Sequence, residues 1–143
     1  MAYIKLQNEP IDVAGLYAQL KSPEYGGIGV FVGTIRNLTD FDEESKGGAR
    51  TEYTDFIEYT AYEAMAIKEL KKLAAPIEMM GNRVIIVHRI GHLEVEDEAV
   101  FIGVASVHRK QALEGCHQII DQLKKTVPIW KKEVDGDTER WGK

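Results

Sequence analysis

The residues best suited to chemistry lie near the C-terminus, where four lysines occur within nine positions and a glutamate follows them. The lysines flank Pro128 and Trp130, while the chain as a whole carries a net charge of −5. Ammonium groups hold phosphates and carboxylates, and a lysine that loses its proton can act as a base or a nucleophile. The cluster therefore indicates a pocket for an anionic substrate. A solvated helix end is the alternative, because lysines there interact favourably with the helix dipole.

Helical periodicity separates the first two lysines of this cluster. Residues 108–127 predict a long helix that ends at Pro128, since the residue before proline avoids helical geometry. At about 100° per residue, Lys124 falls at the edge of the apolar sector and Lys125 on the solvent side. Desolvation at that edge would lower the pKa of Lys124 and make its amine reactive, unless the stem packs and the ammonium reaches water. Arg109 projects into the N-terminal end of the sector, which contains Leu113, Cys116, Ile119, Ile120, Leu123 and Val127.

Strand alternation separates the second pair of lysines. After Pro128, an extended segment would send Ile129, Lys131 and Glu133 to one face, and Trp130 and Lys132 to the other. Lys131 and Glu133 then form either a surface ion pair worth under about 1 kcal/mol or a pocket cation with its orienting carboxylate. Spacing alone leaves both possibilities open.

Further cations stand at the ends of other predicted elements. Arg36 closes a predicted strand, 28–36, although a plain surface arginine is equally compatible with that position. His108 and Arg109 begin the long helix, where free backbone N–H groups attract anions. A second His-Arg pair, His88 with Arg89, lies in an earlier strand, and either pair could be structural. The glycines at alternate positions of 28–36 indicate a face on which another element packs closely: Gly27, Gly29 and Gly33.

Several function classes fit the sequence poorly. The four histidines show no metal-ligand spacing, and the single cysteine, Cys116, falls on a core face, so no metal site is expected. An acidic chain is unsuited to general nucleic-acid binding. No apolar run approaches the roughly 18 residues of a membrane span, and the N-terminus lacks a secretion signal. A cytoplasmic protein is expected.

The elements that must position these residues predict an α+β fold with a largely antiparallel sheet. A single domain over residues 1–143 is expected, with a mobile acidic loop at 37–50. Asp12 would cap a short first helix, and Thr60 with Glu63 forms a capping-box signature for a second. Pro76 would follow that second helix. The predicted strands are 3–6, 28–36, 51–59, 83–90 and 99–107, with helices at 11–20, 60–75 and 108–127 and one or two short strands up to residue 141.

Five segments, in order, give the chain a family resemblance. The most specific is Leu-Lys-x-x-x-Pro-x-Trp-Lys-Lys-Glu at 123–133, and the likeness runs from about residue 28 to residue 141. The chain resembles the large, catalytic subunit of the molybdopterin synthase family. The matching segments are 33–37, 59–66, 87–91, 106–109 and 124–133.

The resemblance implies an α/β hammerhead-like core and a definite reaction. Such subunits transfer sulfur from the C-terminal Gly-Gly thiocarboxylate of a small ubiquitin-like subunit to cyclic pyranopterin monophosphate (precursor Z), and so form the dithiolene of molybdopterin. The implied assembly is a homodimer with one small subunit at each end, a heterotetramer. No metal or redox cofactor is implied for this step.

The resemblance also implies roles for individual residues. Lys124 matches the lysine beside the incoming thiocarboxylate, and Lys131 matches the second active-site lysine. Three residues match the anion-binding set of a site that the family builds across its dimer: Arg36, His108 and Arg109. Other pocket residues flank these positions: Thr34 and Ile35 precede Arg36, and Lys132 and Glu133 follow Lys131.

Two other functions stay open on the sequence. A non-catalytic dimeric module that captures an acidic or glycine-ended tail would use the same basic cluster. An enzyme acting on a different phosphorylated metabolite, with Lys124 forming a Schiff base, is the weaker alternative.

Overall fold

A computed structural model describes residues 2–39, 52–136 and 138–142. These residues form three helices and ten strands. In chain order the elements are β1 (Tyr3–Gln7), α1 (Val13–Leu20), β2 (Gly27–Thr34), β3 (Leu38–Thr39), β4 (Glu52–Tyr53), β5 (Phe56–Ala61), α2 (Glu63–Glu78), β6 (Arg83–Arg89), β7 (Gly91–Glu94), β8 (Glu98–Ser106), α3 (Arg109–Thr126), β9 (Ile129–Asp135) and β10 (Thr138–Gly142).

The first sheet has the strand order β1-β6-β8-β2 and supports most of the core. Its β1–β6 pair is parallel and its other pairs are antiparallel. Strands β6 and β8 are buried along nearly their whole length because helices cover both faces of the sheet. Val84 and Ile86 pack with α2 and α3, whereas Ile85 and Val87 pack with Leu20 of α1.

The second sheet, β10-β9-β5-β7, is antiparallel throughout. Its central pair sets Tyr59 opposite Lys131 and Ile57 opposite Glu133. The predicted α+β class with largely antiparallel sheets is confirmed. The segment after Pro128, expected to hold one or two short strands, forms both β9 and β10.

Helix α1 confirms its predicted cap, whereas α2 departs from prediction at both ends. The Asp12 carboxylate accepts a hydrogen bond from the N–H of Gly15. Thr60 is not a cap, because it stays in the β5–β9 ladder, and Tyr62 takes the N-cap position without a side-chain hydrogen bond. Pro76 lies inside α2, which ends at Glu78. The additional turn buries Ile77 beneath the helix, which offsets the backbone hydrogen bond that proline removes.

Helix α3 runs one residue shorter at each end than predicted, with His108 and Val127 as its caps. Its buried stripe consists of Ala112, Gly115, Cys116, Ile119 and Leu123. The predicted sector was therefore too broad: Leu113 is 60% exposed, and Arg109 is exposed as well. Small residues let α3 lie so close to β2 that only a narrow stripe reaches the sheet.

Gly29 illustrates this close approach. A Cβ atom at Gly29 would lie 2.7 Å from the carbonyl oxygen of Ala112, a backbone atom that cannot rotate away. We expect Gly29→Ala to lower the free energy of unfolding by about 1–3 kcal/mol, because α3 must shift from the sheet. Urea denaturation measures the change. Val30→Ala, at an exposed position of the same strand, is the control, and equal stability of the two variants would contradict the close-packing interpretation.

The predicted loop at 37–50 lies outside the described residues from residue 40 onward. Its first residues belong to the short strand β3, which pairs with β4. Within the described ranges, no helix is long and apolar enough to cross a membrane.

Candidate active site

A cavity of about 310 Å³ opens between the two sheets, beside the C-terminal end of α3. Polar side chains line it together with an apolar wall. The apolar wall suits the face of a flat ring, and the polar groups suit an anion. The lining residues are Phe31, Gly33, Thr34, Ile35, Arg36, Ile57, Tyr59, His88, Ala99, Val100, Ile120, Leu123, Lys124, Ile129, Lys131 and Glu133.

Arg36 reaches the cavity because the residue before it is anchored. Ile35 is 3% exposed, and its backbone bonds both to the carbonyl of Asp97 and to the N–H of Glu96. This anchor fixes the chain just beyond β2. The exposed Arg36 and its neighbour Thr34 are thereby held at the edge of the cavity.

Lys124 lines the cavity while its side chain stays accessible to solvent. Burial lowers the pKa of Lys124 from its ordinary value, and the positive charges of Lys131 and Arg36 lower it further. Lys125 does not line the cavity, and its Nζ atom lies 3.2 Å from Oδ2 of Asp121 on the exposed face of α3. The helical periodicity that separated the two lysines is confirmed.

Strand β9 supplies a second cation with its carboxylate. The Nζ atom of Lys131 lies 3.1 Å from Oε1 of Glu133, and Glu133 is 7% exposed. The other Glu133 oxygen lies 3.6 Å from Nε of Arg140. Burial and the charge of Glu133 together raise the pKa of Tyr59 to about 12, so its phenol stays protonated. The ion pair thus belongs to the cavity wall and not to the open surface.

Lys132 lies on the opposite face of β9, as strand alternation predicts. Its ammonium lies 3.4 Å from Glu58 and 3.7 Å from Glu139, and 5.9 Å from the ring centre of Trp141. The side chain is absent from the cavity lining. Its proposed role in substrate binding stays a prediction that this geometry does not favour.

His108 and Arg109 lie at the other end of α3 from Lys124. Fifteen residues separate Arg109 from Lys124, which corresponds to about 22 Å along a helix axis. Both residues are exposed, and neither lines the cavity. Within one chain, the structure does not bring them to the other predicted site residues.

Two polar residues of the cavity were not predicted as site residues, Tyr59 and His88. Their rings meet edge to face, with centroids 4.9 Å apart. Alternation along β6 could have placed His88 on the same face as Val84 and Ile86, toward α3. Local sequence patterns contain no sign of a cavity at that point, because the cavity depends on pairing between distant strands.

The described residues contain no group of three or more histidine, cysteine or carboxylate side chains that could hold a metal ion. The polar lining of the cavity is instead mainly cationic and suits an anionic organic ligand.

The family model described as MoaE protein matches residues 6–126. The chain belongs to the MoaE protein family. It is 38% identical over 143 residues to the molybdopterin synthase catalytic subunit of Bacillus subtilis (strain 168), with 99% of this chain and 85% of that protein covered. The molybdopterin synthase structure from Staphylococcus aureus is 35% identical, with a TM-score of 0.82 over 96% of this chain and 95% of that chain.

A further structure is that of a complex of subunits 1 and 2 of molybdopterin-converting factor from Helicobacter pylori. Its matching chain has a TM-score of 0.78 at 19% identity and covers 98% of this chain and 90% of that chain. At that identity the likeness concerns the MoaE fold alone.

The buried histidine of this MoaE chain makes stability depend on pH. Burial lowers the pKa of His88 from its ordinary 6.5 to about 4. Between these values the unfolded chain binds a proton that the folded chain does not, so stability falls as the pH drops from 6.5 to 4. We expect this residue to contribute a loss of about 3 kcal/mol, and none above pH 6.5.

Urea denaturation of wild type and His88→Asn across this range isolates the contribution. The wild-type free energy of unfolding should fall more steeply than that of the variant. The control is His117→Asn, which alters an exposed side chain of α3. Parallel pH curves for wild type and His88→Asn would contradict the prediction.

Proposed function

We propose that this chain is the catalytic subunit of a molybdopterin synthase. It transfers sulfur from the C-terminal thiocarboxylate of a small ubiquitin-like subunit to cyclic pyranopterin monophosphate and so forms the dithiolene of molybdopterin. The observation that carries the proposal is the convergence of Arg36, Lys124 and Lys131 on one cavity of a MoaE-family chain.

The charges of this cavity suit the two reactants. The thiocarboxylate tail and the cyclic phosphate are both anionic and would repel each other in solution. Fixed cations offset that repulsion and act most strongly in a site that excludes water. Opening of the cyclic phosphate leaves more negative charge, which the same cations stabilise. The apolar wall, including Phe31 and Leu123, gives the pterin ring a surface to lie on.

Lys124 is the residue placed for proton transfer. Because its pKa is lowered, a larger fraction of the Lys124 amine is neutral near physiological pH than for an ordinary lysine. The amine can then accept a proton from an attacking group, and the ammonium can return one to a leaving oxygen. Lys131, whose ammonium is paired with Glu133, serves as an electrostatic contact.

The proposed assembly is a homodimer that binds one small sulfur-carrier subunit at each end and acts in the cytoplasm. The Helicobacter pylori complex of subunits 1 and 2 of molybdopterin-converting factor supports a partner subunit. His108 and Arg109 of a second copy then contact the substrate phosphate. Their exposure and their distance from Lys124 within one chain support a site completed by two chains.

Reconstitution tests the function. The protein is mixed with precursor Z and a small subunit that carries a C-terminal thiocarboxylate, and the dithiolene product is detected by the fluorescence of its oxidised pterin. The matched control is the same small subunit with an ordinary carboxylate, which should give no product. Tight binding of the small subunit without product would favour the non-catalytic binding module.

A further inference from the structure

The cavity lining contains one carboxylate that offsets part of its positive charge. Burial lowers the pKa of His88 to about 4 and raises the pKa of Tyr59 to about 12, so both are neutral at physiological pH. Glu133 lies 3.1 Å from the ammonium of Lys131, so on its own it would cancel the charge that this lysine offers to an anion. The charged side chains among the described lining residues are Arg36, Lys124, Lys131 and Glu133.

Arg140 approaches Glu133 from outside the cavity. The two residues lie directly opposite each other in the β9–β10 ladder, so their side chains share a face of the sheet. The Nε atom of Arg140 lies 3.6 Å from Oε2 of Glu133, whereas Lys131 pairs with Oε1. Glu133 is buried, so its ion pairs are only weakly screened by solvent ions. Arg140 does not line the cavity, and its guanidinium is always charged.

A second segment holds this guanidinium in place. Its Nη2 atom donates to the backbone carbonyl of Tyr53 at 3.1 Å and to Oγ1 of Thr54 at 3.4 Å. Thr54 is 2% exposed, and its N–H donates to the carbonyl of Asn37 at 2.7 Å. Asn37 directly follows Arg36, which lines the cavity. The charge of Arg140 therefore occupies a defined position beside Glu133.

We propose that Arg140 keeps the cavity positive by neutralising Glu133, so that the charge of Lys131 remains available to an anionic ligand. Arg140 is a positioning residue, which acts only through Glu133 and Lys131. The charge of Lys131 already acts on Lys124, because it helps to lower the pKa of that amine. A change in the neutralisation of Glu133 therefore extends to the end of α3. The consequence for substrate binding rests on the proposed function, whereas the electrostatic effect does not.

The electrostatic potential of the cavity can be measured by chemical labelling of Lys124. N-hydroxysuccinimidyl acetate and its sulfonated form acetylate an amine by the same reaction, but the sulfonated reagent carries a negative charge. The ratio of the two rates reports the local potential, because the protonation state of the amine affects both reagents equally. Peptide mass spectrometry at low ionic strength gives this ratio for Lys124. Lys125, on the exposed face of α3, is the internal reference.

Arg140→Gln should lower the preference of Lys124 for the sulfonated reagent by about twofold, because a unit positive charge is lost. Arg140→Lys keeps the charge and should stay near the wild-type ratio. In the double variant Arg140→Gln/Glu133→Gln there is no carboxylate to neutralise, so the preference should return at least to the wild-type value. Arg83→Gln, which also removes an arginine bonded to backbone carbonyls, is the control and should leave the ratio unchanged.

An unchanged ratio in Arg140→Gln would overturn the proposal. A decrease that Glu133→Gln does not restore would also overturn it, because Arg140 would then act by holding the β9–β10 hairpin and not through the carboxylate. If Arg140→Gln does not fold, NMR of wild type and Glu133→Gln decides. The Nε–H resonance of Arg140 should shift when the carboxylate is removed, and a constant resonance would contradict the proposal.

These measurements are independent of the proposed function. A decreased labelling ratio in a protein that forms no dithiolene would support the role of Arg140 and refute the enzyme assignment. Dithiolene formation by wild type, with no change of the labelling ratio in Arg140→Gln, would do the reverse.

Discussion

Lys124→Ala should reduce molybdopterin formation by at least about 100-fold while leaving the fold and the binding of the small subunit intact. Removal of a placed proton donor or of a cation that stabilises developing charge has effects of this size. The side chain lines the cavity but stays accessible to solvent, so its truncation leaves no buried void. Single-turnover formation of the fluorescent oxidised product measures the loss, and calorimetry measures partner affinity.

Lys125→Ala is the matched control for this prediction. It removes an adjacent lysine of the same helix, whose ammonium pairs with Asp121 on the exposed face. Such a pair contributes less than about 1 kcal/mol, so activity should stay within about twofold of wild type. If the two variants lost activity equally, Lys124 would have no special place in the reaction.

The features that local periodicity controls were predicted well. The strands of the first sheet and helix α3 begin and end within two residues of their predicted bounds. Buried strands and an amphipathic helix carry their own patterns, and a proline stops α3 where expected. The same local geometry placed Lys124 at the edge of α3 and put Lys131 and Lys132 on opposite faces of β9.

Features that depend on tertiary contacts were missed. Leu113 fits the apolar sector by angle, yet the backbone of β2 meets α3 along a narrower line at Ala112. Pro76 reads as a helix stop, yet burial of Ile77 carries α2 past it. The cavity itself arises where β5 pairs with β9, and local patterns contain no information on that pairing. His88 could therefore be assigned to a face but not to a site.

Lys131→Ala should also reduce dithiolene formation by about 100-fold, because it removes a cation from the cavity and leaves the Glu133 carboxylate facing the anionic substrate. A buried carboxylate without this partner also costs stability, although Arg140 remains close to it. Because Arg140 remains, only a small fraction of the variant should be unfolded, and that fraction is too small to account for a loss of activity of about 100-fold. Thermal unfolding and single-turnover assays on the same preparation separate the two effects.

Lys132→Ala is the informative comparison, because the family resemblance and the geometry disagree about this residue. The resemblance places Lys132 in the substrate pocket, whereas the structure turns it toward Glu58 and Glu139 on the outer face of β9. If Lys132 stays on this face in the assembled enzyme, activity should stay within about threefold of wild type, because the ion pairs that are lost lie away from the cavity. A loss as large as that of Lys131→Ala would show that Lys132 reaches the substrate in the assembled enzyme. In that case, the face of β9 on which a lysine lies would not determine whether it acts on the substrate.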